Sequence, residues 1–204
     1  MATSAVQVCN MALSRVGSSA FISALDEDTP EAEMLNLYYE PKRDGLLELG
    51  AWPWATRRVA LSALASPDAT TEEVWSYVYT LPADCLQVQD LWSGSRTPTA
   101  SDRIPFAVEW DATNACRVLC TDEEDAVLVY TRKVTDVAAY PQHFVEALVW
   151  ALAAELALGL IGKPELFANA QAMADRARSR AVAKAGNTNR PDVPAVSEFE
   201  AERA

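Results

Sequence analysis

"EVWSYVYTLPADCLQVQDLW", residues 73–92, is where the chain changes its period. Trp75, Tyr77, Tyr79 and Leu81 alternate onto one face of an extended strand, and Val74 and Val78 onto the other. Pro82 to Asp84 marks a corner, after which Leu86 and Val88 resume the strand. The segments on either side of this β-patterned stretch are read against it.

Upstream the spacing is helical. Val6, Cys9, Leu13 and Val16 recur at three- and four-residue intervals and predict a first helix over residues 5–17. Asp26, Glu27 and Asp28 form an acidic loop. "TPEAEM" then opens a second helix: Thr29 caps it, Pro30 suits its first position, and Glu31 and Glu33 favour its positive end. Leu35, Tyr38, Leu46 and Leu49 line its inner face. Pro41 predicts a kink or break near Tyr39, and Gly50 ends the run. A short helix or turn is expected from Trp54 to Ala65.

Downstream, residues 93–103 read as a polar loop. "IPFAVEWD", residues 104–111, alternates Phe106, Val108 and Trp110 as a strand. "CRVLCTDEEDAVLVYTRKV", residues 116–134, predicts a hairpin around Thr121 to Asp125. Sequential strands tend to be neighbours, so a meander or small sandwich is expected. Helix returns after Tyr140. The segment 141–162 is apolar almost all round, which requires cover from other helices or another subunit. A last helix over about 164–185 carries a seam of Leu166, Ala170, Met173, Ala177 and Ala181. The fold class is therefore α+β: an antiparallel helical bundle with an inserted small antiparallel β domain. The boundaries are 1–66 and 138–186 for the helical body, 67–137 for the insertion, and 187–204 for an extended arm.

Composition narrows the function classes. The chain has 204 residues, and its 17 basic against 29 acidic residues give a formal charge of −12. Sequence-reading DNA binding needs local cationic surface and is disfavoured. No stretch of eighteen apolar residues suggests a membrane span, and the N-terminus lacks a signal-peptide pattern. Cys9, Cys85, Cys116 and Cys120 are too dispersed for a zinc site and read as free thiols. His143 is the single histidine, and no nucleophile motif accompanies it. No Walker or dinucleotide glycine pattern is present. The expectation is a non-enzyme with no catalytic residue, cofactor or metal.

Three residue groups stand out. Trp52 and Trp54, in "GAWPWATRR" (50–58), read as structural anchors, because aromatic side chains bury large areas in fixed geometry. Arg57 and Arg58 follow them, and Arg176, Arg178, Arg180 and Lys184 concentrate on the last helix. These cations read as a solvated face, as contacts to an acidic partner or, least favoured, as a DNA contact. The acidic clusters Asp26, Glu27 and Asp28, and Asp122, Glu123, Glu124 and Asp125, lack the glycine and ligand spacing of a calcium loop.

The order of these features resembles the tail tubular protein A family of tailed bacteriophages, also described as head-to-tail adaptors (connectors). The stretches that carry it are "NMALSRVGSSAFISALDEDTPEA" (10–32), "GAWPWATRR" (50–58), "LPADCLQV" (81–88), "AVLVYTRKV" (126–134) and "YPQHFVEALVWALAAELALGLIG" (140–162). The Ala/Arg-rich last helix follows them. The likeness runs from about residue 5 to residue 186 and lies in order and spacing. It implies a structural virion protein at the head–tail junction, assembled in the host cytoplasm as a homo-oligomeric ring, typically a dodecamer, below the portal protein. Such a ring extends the DNA channel and presents a platform to a tail nozzle or other tail protein. Double-stranded DNA passes through it during ejection without specific binding. By position, residues 187–204, with Arg190, would reach the portal. Trp52 and Trp54 would serve packing, and Arg57, Arg58 and the cations of the last helix a subunit or portal interface. The two acidic clusters are candidates for the channel lining by their clustering alone. A soluble protein-binding module with an exposed β face is the alternative from a different class, with a small hydrolase behind it.

Overall fold

In the computed structural model, the described residues are 4–68, 74–95 and 102–188. The chain is α+β, with a helical region flanking two antiparallel sheets. In chain order the elements are α1 (Ala5–Arg15), α2 (Pro30–Glu48), β1 (Thr56–Ala60), β2 (Ser62–Ala63), β3 (Tyr77–Thr80), β4 (Cys85–Leu91), β5 (Phe106–Asp111), β6 (Cys116–Thr121) and β7 (Val127–Arg132). A 3-10 turn at Val137–Ala139, α3 (Gln142–Gly159) and α4 (Pro164–Thr188) complete them. Two compact units result. The first draws on Met1–Arg58, Pro82–Gln89 and Val129–Thr188, and the second on Val59–Leu81 and Asp90–Leu128. These division points differ from the junctions at 66/67 and 137/138 expected from periodicity. Of the expected arm, Asn187 and Thr188 are the last residues of α4, and residues 189–204 lie outside the described residues.

The helices begin where local chemistry says they should. Ser4 Oγ accepts the Gln7 amide at 3.2 Å and caps α1. Thr29 Oγ1 accepts the Ala32 amide at 3.3 Å, with Pro30 at the first position of α2. The break expected near Tyr39 is absent, because α2 runs unbroken through Pro41. Pro41 leaves the Leu37 carbonyl without its helical donor. Leu37 and Pro41 are both exposed, so water can serve that carbonyl. α3 is the centre of the bundle and packs on α1, α2 and α4. Its buried faces include Phe144, Leu148, Leu152 and Leu156, so most of its apolar surface is covered within one chain, while Leu158 is exposed. Ala170, Ala174, Ala177, Ala181 and Ala185 are the buried stripe of α4, where small side chains let two helices approach closely. Leu166 and Met173, expected on that seam, are half-buried.

The β elements depart further from expectation. Residues 56–60 and 62–63 are strands where a helix or turn was expected. Their partners explain the difference: the Arg132 amide donates to Ala55 O at 2.9 Å, and the Leu61 amide to Ala126 O at 2.9 Å. The strand order is β1-β7-β4 in one sheet and β2-β3-β6-β5 in the other, so the expected meander is not formed. The turn at Thr121 to Asp125 does not close a hairpin, because β6 and β7 belong to different sheets. The true hairpin is β5–β6, in antiparallel register from Phe106 opposite Thr121 to Asp111 opposite Cys116. Its turn is built by Asp111, which is fully buried and accepts from the Asn114 amide (2.6 Å), Asn114 Nδ2 (2.9 Å) and the Asp68 amide (2.6 Å). Ala115 completes the turn at φ +49°.

Candidate functional site

The stretch "GAWPW" folds back on the helix it terminates. Trp52 is completely buried, and its Nε1 donates to Leu46 O at 3.1 Å, satisfying a carbonyl in the last turn of α2. Gly50 permits this return: a Cβ there would lie 3.3 Å from the indole Cε2. Trp52 O in turn accepts from the Ala55 and Thr56 amides and from Thr56 Oγ1. Around this turn the rings interlock. Trp52 meets Phe144 edge-on at 5.3 Å and stacks on His143 at 6.3 Å, while Trp54 meets Phe144 at 4.9 Å and Tyr140 at 5.6 Å. Trp54 is only half-buried. Two polar atoms in this cluster, Trp54 Nε1 and His143 Nε2, are buried without a hydrogen-bond partner. Burial first, and the Lys184 ammonium second, hold the His143 imidazole below its ordinary value.

A second arrangement lies at the "LPADC" corner. Asp84 Oδ1 accepts the Tyr130 hydroxyl at 2.9 Å, Asp84 O accepts the Lys133 amide at 2.7 Å, and Arg57 Nη1 lies 3.8 Å from Asp84 Oδ2. The Arg57 pair is exposed and contributes little by itself. Arg43 carries the one buried guanidinium among the described residues; its Nε donates to Asp44 Oδ1 at 2.7 Å. Lys133 reaches the other Asp44 oxygen at 3.1 Å.

Burial holds two of the four thiols protonated. No disulfide links the four cysteines, and burial pushes the Cys9 thiol up to about 12 and Cys120 to about 11. Among the described residues, no group of three or more His, Cys, Asp or Glu is placed to hold a metal ion. No helix among them is long and apolar enough to cross a membrane.

The charged candidates fall in separate places. Asp26 and Asp28 are exposed in the α1–α2 loop. Glu27 is used by that loop itself, its Oε1 accepting the Ser23 and Ala24 amides at 2.7 and 3.0 Å. Asp122 to Asp125 are exposed in the second unit, where Asp122 Oδ1 accepts the amide and hydroxyl of Ser76. The two acidic clusters thus belong to different units. Arg58 is exposed on β1. Arg176, Arg178, Arg180 and Lys184 are all exposed on α4, and Arg178 pairs with Asp175 at 3.1 Å. Arg190 lies outside the described residues.

Sequence reasoning missed one feature, a groove of about 350 Å³ between α2, α3 and α4. Its floor is Leu46, Ala147, Ala151 and Ala174, and its rim holds Lys42, Asp175 and Arg178. Gly45 leaves the groove open, since a Cβ there would meet nothing within 4 Å. A glycine among alanines at facing positions of three helices is the only signal, and it has no meaning until the helices are assembled.

No protein-family model matches the chain, and no curated protein matches it with significance.

Proposed function

We propose that this chain is a structural head-to-tail adaptor of a tailed bacteriophage. It forms a ring below the portal protein, extends the DNA channel and offers a docking platform to a tail protein. The observation that carries this reading is that the stretches on which the resemblance rests are bound to one another in space. The first stretch is braced internally, Asn10 Nδ2 donating to Ile22 O at 2.8 Å and the Ile22 amide to Asn10 Oδ1 at 2.9 Å, and its helix α1 packs on α3 of the last stretch. Trp52 and Trp54 lock onto Tyr140, His143 and Phe144, and Asp84 joins Arg57, Tyr130 and Lys133. A motif set whose members brace each other is what a load-transmitting subunit requires. The net charge of −12 supports passive conduction, since acidic surface repels a duplex over about 10 Å at 0.1 M salt.

The test is to mix the purified chain with the portal protein of the same phage and image the product. A ring of this chain seated on the portal is the expected result; a chain that stays unbound overturns the proposal. Duplex binding should be weak at moderate salt. Submicromolar affinity that falls steeply with salt would remove the passive channel from it.

One observation favours the binding-module reading. Trp110 is 64% exposed on β5, which ends the four-stranded sheet. Within the adaptor reading this edge is a place for the tail protein. Loss of tail attachment, with portal binding retained, in Trp110→Ser would assign it so.

A further inference from the structure

Two exposed faces of the helical unit complement each other and cannot meet within one copy. On α2, Glu33, Leu37, Glu40 and Glu48 share an exposed face, and Leu37 is 62% exposed there. Glu40 makes only long contacts, 3.4 Å to Arg43 and 3.9 Å to Lys133. Glu33 and Glu48 form no ion pair among the described residues. On α4, Arg176, Arg180 and Lys184 follow at four-residue spacing, flanked by the exposed small residues Ala172, Ser179 and Ala183. Arg176 and Arg180 likewise form no ion pair among the described residues, unlike Arg178.

The groove fixes where these faces point. It is lined by Pro41, Lys42, Gly45 and Leu46 on α2, by its C-cap Leu49, and by Gln171, Ala174 and Arg178 on α4. At 3.6 residues per turn, the centre of the acidic face of α2 lies over a quarter-turn from the centre of its groove face. Arg176 and Arg180 lie on the side of α4 opposite its groove face. The acidic and basic faces therefore look away from each other across the bundle.

We infer that the acidic, leucine-bearing face of α2 in one copy packs against the basic, small-residue face of α4 in a second copy. Leu37 seats on the low surface between Ala172 and Ala183, and the glutamates pair with Arg176 and Arg180. Because the two faces differ, the contact is head-to-tail, the kind that propagates into a ring or a filament. Closure into a ring rests on the adaptor reading; the contact itself does not.

Both faces are exposed, so charge reversal there leaves the fold intact, which a thermal melt verifies. Two variants suffice: Arg176→Glu with Arg180→Glu, and Glu33→Lys with Glu48→Lys. Sedimentation of the full chain at low salt and up to millimolar concentration should show self-association that weakens as salt rises. Each double variant alone should associate at least tenfold more weakly. An equimolar mixture of the two should regain association, because every junction again joins opposite charges. Leu37→Asp should weaken association whatever the charges. A wild-type chain that stays monomeric, variants that associate like wild type, or a mixture that does not recover would each overturn the contact. Charge-swap recovery without portal binding would retain the contact and sink the adaptor reading. Portal rings formed equally well by both reversed chains would do the opposite.

Discussion

In the helical unit a set of large side chains is sealed from solvent: Trp52, Tyr140, Phe144 and Leu148 are each at most 2% exposed and share one continuous apolar cluster. In the sheet unit, the buried apolar cluster on one face of β3 and β6 is Val78, Val118 and Cys120, with Leu64, Trp75 and Cys116 against it. Tyr79, Leu91, Leu119 and Leu128 are buried in that unit too, and buried or turn-forming polar groups add to the ordering. Asp111 organises the β5–β6 turn, Thr121 Oγ1 donates to Pro105 O at 2.8 Å, and Asp122 holds Ser76. Both units have a volume to fill, and the sheet unit adds buried hydrogen bonds that it must complete. The first kind of order is costly to break with a truncation and the second with a change of charge state.

The sharpest way to break the comparison is Trp52→Ala. It removes a fully buried indole together with its bond to Leu46 O, and should cost about 3–5 kcal/mol in a chemical melt. Trp54→Ala should cost less, because Trp54 is half-buried and its Nε1 has no partner to lose. Equal losses, or a Trp52 loss under about 1 kcal/mol, would contradict an apolar keystone there. Next in size is the cap of α2. Thr29→Ala should cost about 1 kcal/mol and Thr29→Ser much less. A smaller change of opposite sign is expected at Gly45, where a Cβ meets no neighbour. Gly45→Ala should stabilise the helical unit by about 0.5–1 kcal/mol.

The smallest effects concern acid. His143 has a depressed value in the fold, so protonation favours the unfolded chain. Its contribution is fully present above about pH 6.5 and falls away as pH drops below that. Melts of wild type and His143→Gln between pH 7.5 and 5 should converge at the acid end; parallel curves would exclude this role. Burial opposes ionisation of Asp111, but hydrogen bonds from Asn114 and Asp68 outweigh it and hold its carboxyl below the ordinary value. Its contribution is present above about pH 3.9 and is lost as pH falls through the depressed value. Amide exchange in β5 and β6 should therefore stay slow at pH 5 and quicken only in stronger acid. Quickening at pH 5 would mean that another group governs the hairpin.

These regions also differ in how far they could be read from sequence. The start of α2 was legible because Thr29, Pro30 and Glu31 act within one turn of each other. The burial of Trp52 was inferable from its size, although its return onto Leu46 needs the Gly50 backbone. β1 was not legible: "TRRVA" has little alternation, and β7, its partner in the sheet, lies some seventy residues on. The hairpin was misplaced because Asp122 to Asp125 is the more polar cluster. The working turn signal was Asp111 three residues before Asn114, which matters only once Asp111 accepts the Asp68 amide and Asn114 donates to Ser66 O. The candidate surfaces fared similarly: the cations of α4 were visible as a list, but their separation from the acidic face of α2 depends on which side of each helix the groove takes.

The chain leaves the helical unit at Arg58 and returns for its longest stretch only at Val129. On a ribosome, α1 and α2 emerge without the helix that covers them. About a hundred residues separate Arg58 from Gly159 at the end of α3, on the order of 5–20 s of synthesis. Through that interval Leu13, Leu35, Leu47 and Trp52 face solvent or a chaperone, while the strands between them are already available to pair. The nascent protein must protect its beginning until its end arrives, so synonymous codon changes that slow translation between residues 59 and 141 should lower soluble yield more than the same changes placed after residue 160.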